Sequence, residues 1–161
     1  MKQIEKSIEN GVEKMDRDVK NLAPFFYAQV KAAIDECAAA GMPLWIVEAY
    51  RSPKRQNWLY AAGRTRGGVI VTEARAWQSM HQYGLAIDVC GGTNKKPIWA
   101  MPWDKIKTIF EKHGLESLAP YEQSHFEIRC RSTIAELFEL AHRDGLEAVW
   151  SMMESRWKEF R

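Results

Sequence analysis

Gln78-Ser-Met-His-Gln-Tyr-Gly-Leu-Ala-Ile-Asp88 is the stretch around which the rest of the chain is arranged. Its character changes at Gly84. Before the glycine, polar residues bring His81 in from a loop. After it, Leu85 to Asp88 read as a strand, in which Ala86 and Asp88 share one face by period-two alternation. Gly84 lets the chain turn sharply between the two, and the short Ala86 leaves room above the sheet on the side of Asp88. A second stretch, Glu122-Gln-Ser-His125, adds a carboxylate and an imidazole. His81, Asp88 and His125 are side chains of the kinds that bind zinc, and catalytic zinc commonly keeps three such ligands. In a chain with 4 histidines, core or surface roles are the ordinary alternative, so the reading requires a fold that joins the two stretches.

Working outward, Gly84 to Cys90 is expected to be a strand, with Gly91-Gly92-Thr-Asn turning the chain out. Pro43-Leu-Trp-Ile-Val-Glu-Ala-Tyr50 is short, rich in β-formers and bounded by Gly41 and Pro53, so it reads as a strand that delivers Arg51 and Ser52 to its tip. Asn21 is placed to cap a helix through about Ala40, with Phe26, Val30, Ala33, Ile34 and Cys37 on the core face and Gly41 ending it. Lys54 to Ala62 reads as a short helix stopped by Gly63, and Arg64 to Ala76 as a loop suited to the rim or lid of a site. Pro102 precedes a helix from Trp103 to Lys112, whose C-terminal end His113 complements from outside the site. Strand-like pieces follow at Leu115 to Leu118 and Ser124 to Ile128.

At the ends of the chain the periodicity is helical. Ile4, Ile8, Val12, Met15 and Val19 suggest a surface helix interrupted at Gly11. Ser132 to Arg161 reads as two helices hinged near Gly145, with Leu146, Val149, Trp150, Met153 and Trp157 in one apolar stripe. Such a stripe is usually docked on a core; contact with lipid or a partner is the alternative.

A chain of 161 residues, 46% apolar and 27% charged, is the size of one domain, with 21–130 as a catalytic core and 131–161 as a helical extension. A formal charge of +2 gives no support to a nucleic-acid binder. Arg51, Lys54, Arg55, Arg64, Arg66 and Arg75 face the single acid Glu73 in their segment, a field that suits a substrate bearing carboxylates, or simply a solvated arginine-rich loop. Cys37, Cys90 and Cys130 lack the paired spacing of a zinc ribbon and read as packed, reduced thiols. The N-terminus lacks the apolar core of a signal peptide, and no apolar run reaches membrane-spanning length. A monomer made in the cytoplasm, without stable membrane insertion, is expected.

Glu122 and His125 are three apart, a spacing that puts them on opposite faces of a regular strand. Pro120 argues against a helix, so Tyr121 to Gln123 is expected to form a turn that swings Glu122 toward the metal, with His125 beginning the strand. From there Glu122 could take a proton from water and pass it to a leaving amine. Glu127 shares a strand face with His125 and is the rival carboxylate; its expected task is to orient that histidine.

Tyr50-Arg-Ser, Gln56, Leu59-Tyr-Ala-Ala-Gly-Arg-Thr, Val71-Thr, Ser79-Met-His-Gln-Tyr-Gly-Leu-Ala-Ile-Asp and Glu122-Gln-Ser-His-Phe-Glu, in that order, resemble the zinc D-alanyl-D-alanine metallopeptidase family. The resemblance is closest to the L-alanyl-D-glutamate endopeptidase branch found among bacteriophage endolysins. It implies an α+β fold in which a small antiparallel sheet, packed with helices, carries one Zn2+ on His81, Asp88 and His125. It further implies Glu122 as catalytic base, Arg51 as the group that binds a substrate carboxylate or stabilises an oxyanion, and Ser79 near the substrate. Gln56 belongs to the resemblance without a derivable role. Many relatives carry Asp as base or an aromatic or proline beside the last histidine, where this chain has Glu122, Gln123 and Ser124. The implied substrate is a peptidoglycan stem peptide, and a phage or prophage lysis enzyme released through a separately made pore fits a wall substrate. A D-alanyl-D-alanine carboxypeptidase or dipeptidase is the nearest rival. A non-catalytic, zinc-stabilised wall-binding module is the rival of another class.

Overall fold

A computed structural model of the chain describes residues 11–118 and 120–160, and at its centre lies the strand that follows Gly84. The sheet comprises β1 (Trp45–Glu48), β2 (Ala86–Thr93), β3 (Lys96–Ile98), β4 (Glu116–Leu118) and β5 (Glu122–Glu127). The order is β1-β2-β5-β4, antiparallel throughout, with β3 paired to the far end of β2. The helices are α1 (Pro24–Ala39), α2 (Pro53–Ala61), α3 (Trp103–Lys112), α4 (Ile134–Asp144) and α5 (Leu146–Glu159). This is an α+β domain.

Alternation along β2 divides the sheet into two chemical faces. Ile87 and Val89 are fully buried in the core cluster with Phe110 of α3 and Phe126 of β5, and the two phenylalanine rings stack with centroids 3.9 Å apart. Each such buried side chain contributes about 1.5–3 kcal/mol, so this face clamps β2 and β5 together. The opposite face carries Asp88. Its cross-strand partners are Glu48 on β1 and His125 on β5, so the three side chains form one row across the sheet.

Several sequence expectations change. Residues 11–18 form turn and irregular structure in place of the helix implied by Val12, Met15 and Val19, and a 3-10 turn occupies Val19–Asn21; the helical reading of Ile4 and Ile8 lies outside the described residues. Tertiary bonds account for the change: Ala49 N donates to Asp16 O (2.7 Å), Arg17 Nε to Val47 O (3.0 Å) and Arg55 Nη1 to Val12 O (2.8 Å). This segment covers the open edge of β1. Asn21 is a buried member of the 3-10 turn, and Ala23 stands at the cap of α1, whose first residue Pro24 needs no N–H partner. Gly91 and Gly92 continue β2 into a hairpin with β3 rather than turning the chain out.

The C-terminal stripe is a docked face. Val149 and Met153 are fully buried, Leu146, Trp150 and Trp157 pack against the core, and Trp150 Nε1 donates to Tyr83 O at 2.8 Å. No described helix is long and apolar enough to cross a membrane.

Candidate metal and catalytic site

His81 enters on a 3-10 turn, Met80–Tyr83, and that turn is locked at both ends. Ser79 is its N-cap: the Ser79 hydroxyl accepts from His81 N (3.4 Å), and Ser79 N donates to Gln82 Oε1 (3.1 Å), completing a capping box. Gly84 closes the turn at φ 66°, where a Cβ would lie 2.7 Å from Asn21 O. The geometry demands glycine there. His81 itself is 1% exposed, and its Nδ1 lies 2.7 Å from Ala49 O, which fixes the proton on Nδ1. His81 Nε2 is buried and makes no hydrogen bond among the described residues, although it stands 3.3 Å from Asp88 Oδ2.

His125 is turned the other way. Its Nε2 bonds Glu127 Oε2 at 2.9 Å, and its Nδ1 faces Asp88 Oδ1 at 3.1 Å. One ligand atom from each of His81, Asp88 and His125 lies within 4.8 Å of the others. The two His–Asp separations run to different Asp88 oxygens, Oδ2 and Oδ1, and each is near the ~3.3 Å spacing of ligand atoms that stand 2.0–2.2 Å from a tetrahedral zinc. The orphaned Nε2 of His81 and this convergence fit a metal ion. Glu127, 2% exposed and also bonded by Arg129 Nε, supports His125 from behind, as the sequence suggested. Burial disfavours the charge on His125, but hydrogen bonds to Asp88 and Glu127 outweigh it and carry the imidazole from 6.5 up to about 9. The Asp88 carboxyl is likewise disfavoured by burial yet held well below its usual value by His81 and His125.

The expected turn at Tyr121 to Gln123 is corrected. Glu122 is the first residue of β5, and His125 lies within the strand. What brings the two together is an irregular register against β4: Ser117 pairs with Phe126, but the next residue, Leu118, pairs with Glu122. The bulge breaks the alternation that would send their side chains to opposite faces. Glu122 Oε2 accordingly lies 3.8 Å from His125 Nδ1, with its side chain 50% exposed.

Arg51 lies on the floor of the site and is less free than a substrate-seeking cation would be. Its Nε and Nη2 bond Glu48 Oε2 (3.0 and 2.6 Å), Nη2 also bonds Asp88 Oδ2 (3.1 Å), and Nη1 bonds Gln56 Oε1 (3.1 Å). One N–H of Nη1 is left without a partner among the described residues. Burial opposes its charge, but Glu48 and then Asp88 raise its affinity for the proton. Glu48, 3% exposed and also bonded by Arg55, is the site residue that the sequence reading missed. The available signal was an acid inside the apolar run Leu44 to Tyr50, which needs a partner when buried.

These groups open into a cleft of about 630 Å³ lined by Glu48, Arg51, Asp88 and Glu122, with Val71, Thr72, Trp99, Trp103 and Tyr121 among its wall residues. A further hollow of about 310 Å³, sharing Trp103 and Gln123, adjoins it. Ser79 is absent from both linings, and the hydrogen bonds seen for it are those of the cap. Much of the basic segment is engaged within itself: Arg64 bonds Glu73, Arg64 and Arg75 stack on Tyr60, and Arg66 stacks on Trp58 at 3.7 Å, although the buried Arg66 Nε finds no acceptor among the described residues. His113 stays outside the site, bonded to Glu36 at 2.8 Å, and all three cysteines are free.

A family model described as VanY: D-alanyl-D-alanine carboxypeptidase matches residues 19–114, more than half of the chain, and so includes Arg51, His81 and Asp88 but stops before Glu122 and His125. The chain is 41% identical over 87 residues to the peptidoglycan L-alanyl-D-glutamate endopeptidase CwlK of Bacillus subtilis (strain 168), covering 52% of this chain and 51% of that protein. It thus spans about half the length of that curated relative. The crystal structure of the L-Ala D-Glu endopeptidase ChiX of Serratia marcescens matches 74% of this chain and 93% of its own, with a TM-score of 0.50 and 18% identity, a likeness of fold.

Proposed function

The chain belongs to the VanY family of D-alanyl-D-alanine carboxypeptidases, and on that premise we propose that it is a zinc peptidase acting on the stem peptide of peptidoglycan. The observation that carries the reading is the convergence of His81 Nε2, the Asp88 carboxylate and His125 Nδ1 beneath an open cleft, which Asp88 lines together with Glu122 while the two histidines lie buried behind it. A zinc ion held by these three residues would supply Lewis acidity toward the scissile carbonyl and toward water. Glu122, exposed and within reach of the same point, takes the proton from the attacking water and returns it to the departing amine. The remaining Nη1 hydrogen of Arg51 donates to negative charge on the substrate, either a carboxylate or the developing oxyanion. Glu127 holds the His125 ring so that Nδ1 points inward. Ser79 serves the reaction through the turn that carries His81.

Within the family, the L-alanyl-D-glutamate endopeptidase reading is supported by the identity to CwlK. The continuation of the cleft past Trp103 also favours it, because an endopeptidase must seat chain on both sides of the bond it cuts. The carboxypeptidase alternative rests on the family description. Purified peptidoglycan digested with the zinc-loaded protein distinguishes them: new L-alanine carboxyl ends and D-glutamate amino ends are expected, whereas release of D-alanine alone would establish the carboxypeptidase, and no hydrolysis would leave a wall-binding module. The role extends to a phage or prophage lysis enzyme; rapid lysis on co-production with a membrane-pore protein, and none without it, is the expected result.

A further inference from the structure

Gln56 is fully buried and uses both ends of its amide. Its Oε1 accepts from Arg51 Nη1 (3.1 Å) and from Gln82 Nε2 (3.2 Å). Its Nε2 donates to Ala74 O (2.7 Å) and makes a longer contact with Thr72 Oγ1 (3.4 Å). A buried amide in water-free surroundings costs free energy unless its groups are paired, and here the pairing joins three separate pieces of the site. Arg51 lies on the cleft floor beside Asp88. Gln82 belongs to the 3-10 turn that presents His81, and also donates to Arg51 O (3.2 Å). Thr72 and Ala74 belong to the loop whose Val71 and Thr72 form a wall of the cleft.

We propose that Gln56 is a positioning residue that couples the cleft wall to the floor: its oxygen sets the guanidinium of Arg51 and its nitrogen ties residues 72–74 at the depth the substrate requires. Arg51 needs this third support. Glu48 and Asp88 hold Nε and Nη2 at one end of the planar guanidinium, and the Gln56 oxygen holds the other end at Nη1, the nitrogen that keeps a hydrogen for the substrate. The other bonds that tie this wall down, Ala76 N to Asn57 Oδ1, Arg64 Nη1 to Thr72 O, Arg64 Nη2 to Glu73 Oε2 and Arg75 Nη2 to Tyr60 Oη, do not touch Arg51.

The inference rests on the peptidase reading, so two substitutions are followed by two independent measurements. Gln56→Met removes both ends of the amide at nearly constant volume. Gln56→Glu keeps an acceptor for Arg51 and places a second oxygen against Ala74 O, which releases the wall alone. With zinc content held equal to that of the unaltered protein, Gln56→Met is expected to lower kcat/KM on a stem-peptide substrate by about ten-fold or more, since small misplacements of a substrate-binding group carry penalties of that order. Gln56→Glu is expected to restore kcat and leave KM raised. Hydrogen exchange of backbone amides in residues 72–76 is expected to accelerate in both variants. Equal kcat in the two variants, or an unchanged kcat/KM in Gln56→Met, would overturn the assignment to Arg51. Unchanged exchange in Gln56→Glu would overturn the coupling to the wall. If the unaltered protein hydrolyses no stem peptide, the functional reading fails by itself, and the exchange measurement still decides the coupling.

Discussion

The floor and the edge of the cleft are built on opposite plans. On and beneath the floor, Glu48, which lines the cleft, and His81, His125 and Glu127 behind it are each less than 5% exposed, and every one is held by at least one polar partner from another part of the chain or a neighbouring strand position. At the edge, Glu122 is half exposed, Tyr121 is 92% exposed and Val71 is 54% exposed. On the proposed reading, the floor holds a metal whose ligands are oriented by hydrogen bonds within the fold. The proposed base, Glu122, would have to meet water and substrate, and its exposure suits that task. The difference separates binding of the metal from use of it.

Substitutions can test that separation. The largest effect belongs to the floor: Asp88→Ala or His81→Ala is expected to abolish stoichiometric zinc binding and to lower kcat/KM about a thousand-fold or more, because a Lewis acid contributes several kcal/mol. Chelation should do the same to the unaltered protein, with recovery on adding zinc; activity that persists in the chelated protein would dissolve the distinction. At the edge, Glu122→Gln is expected to cost about 10²–10⁴-fold in kcat while zinc content stays at one equivalent per chain. Loss of zinc in that variant would move Glu122 to the floor. Behind the ligands, Glu127→Gln is expected to weaken zinc affinity about 10–100-fold, measured by competition with a chelating dye.

The smallest effect concerns protons. In the metal-free protein His125 keeps its proton up to about pH 9, above the 6.5 of the unfolded chain. Its contribution to stability is therefore fully present below about pH 6.5 and is lost as pH rises through about 9. A zinc ion held at Nδ1, as proposed, would have to displace that proton, so apparent zinc affinity is expected to rise by about ten-fold per pH unit from 7 toward 9. Thermal melts across this range should fall for the metal-free protein and stay comparatively level for the zinc-loaded one. A pH-independent affinity would remove His125 from the ligand set.

The same division governs what was legible in the sequence. The convergence of His81, Asp88 and His125 could be anticipated because metal chemistry admits few residue types, and Gly84 announced the turn between loop and strand. The helix Trp103–Lys112 and the hinge at Gly145 were equally plain, since their signals are local. The approach of Glu122 was read correctly but explained by a turn, because a bulge is a property of two paired strands and β4 cannot be consulted from β5 alone. Glu48 stayed hidden inside an apolar run, and Gln56 had no role until Arg51, Gln82 and Ala74 were seen around it. Residues 12–19 had helical periodicity that bonds to Val47, Ala49 and Arg55 override.

The irregular pairing of Leu118 with Glu122, one step along β4 after Ser117 pairs with Phe126, sets how far the proposed base reaches toward His125. The pairs Asp88–His125 and Ala86–Glu127 lie on the other side of β5, between it and β2, and are regular. A protein engineer therefore has a place to lengthen or shorten the arm bearing the carboxylate while the ion's cradle keeps its dimensions. Divergent descendants of such a chain could alter which bond is cut by the same route.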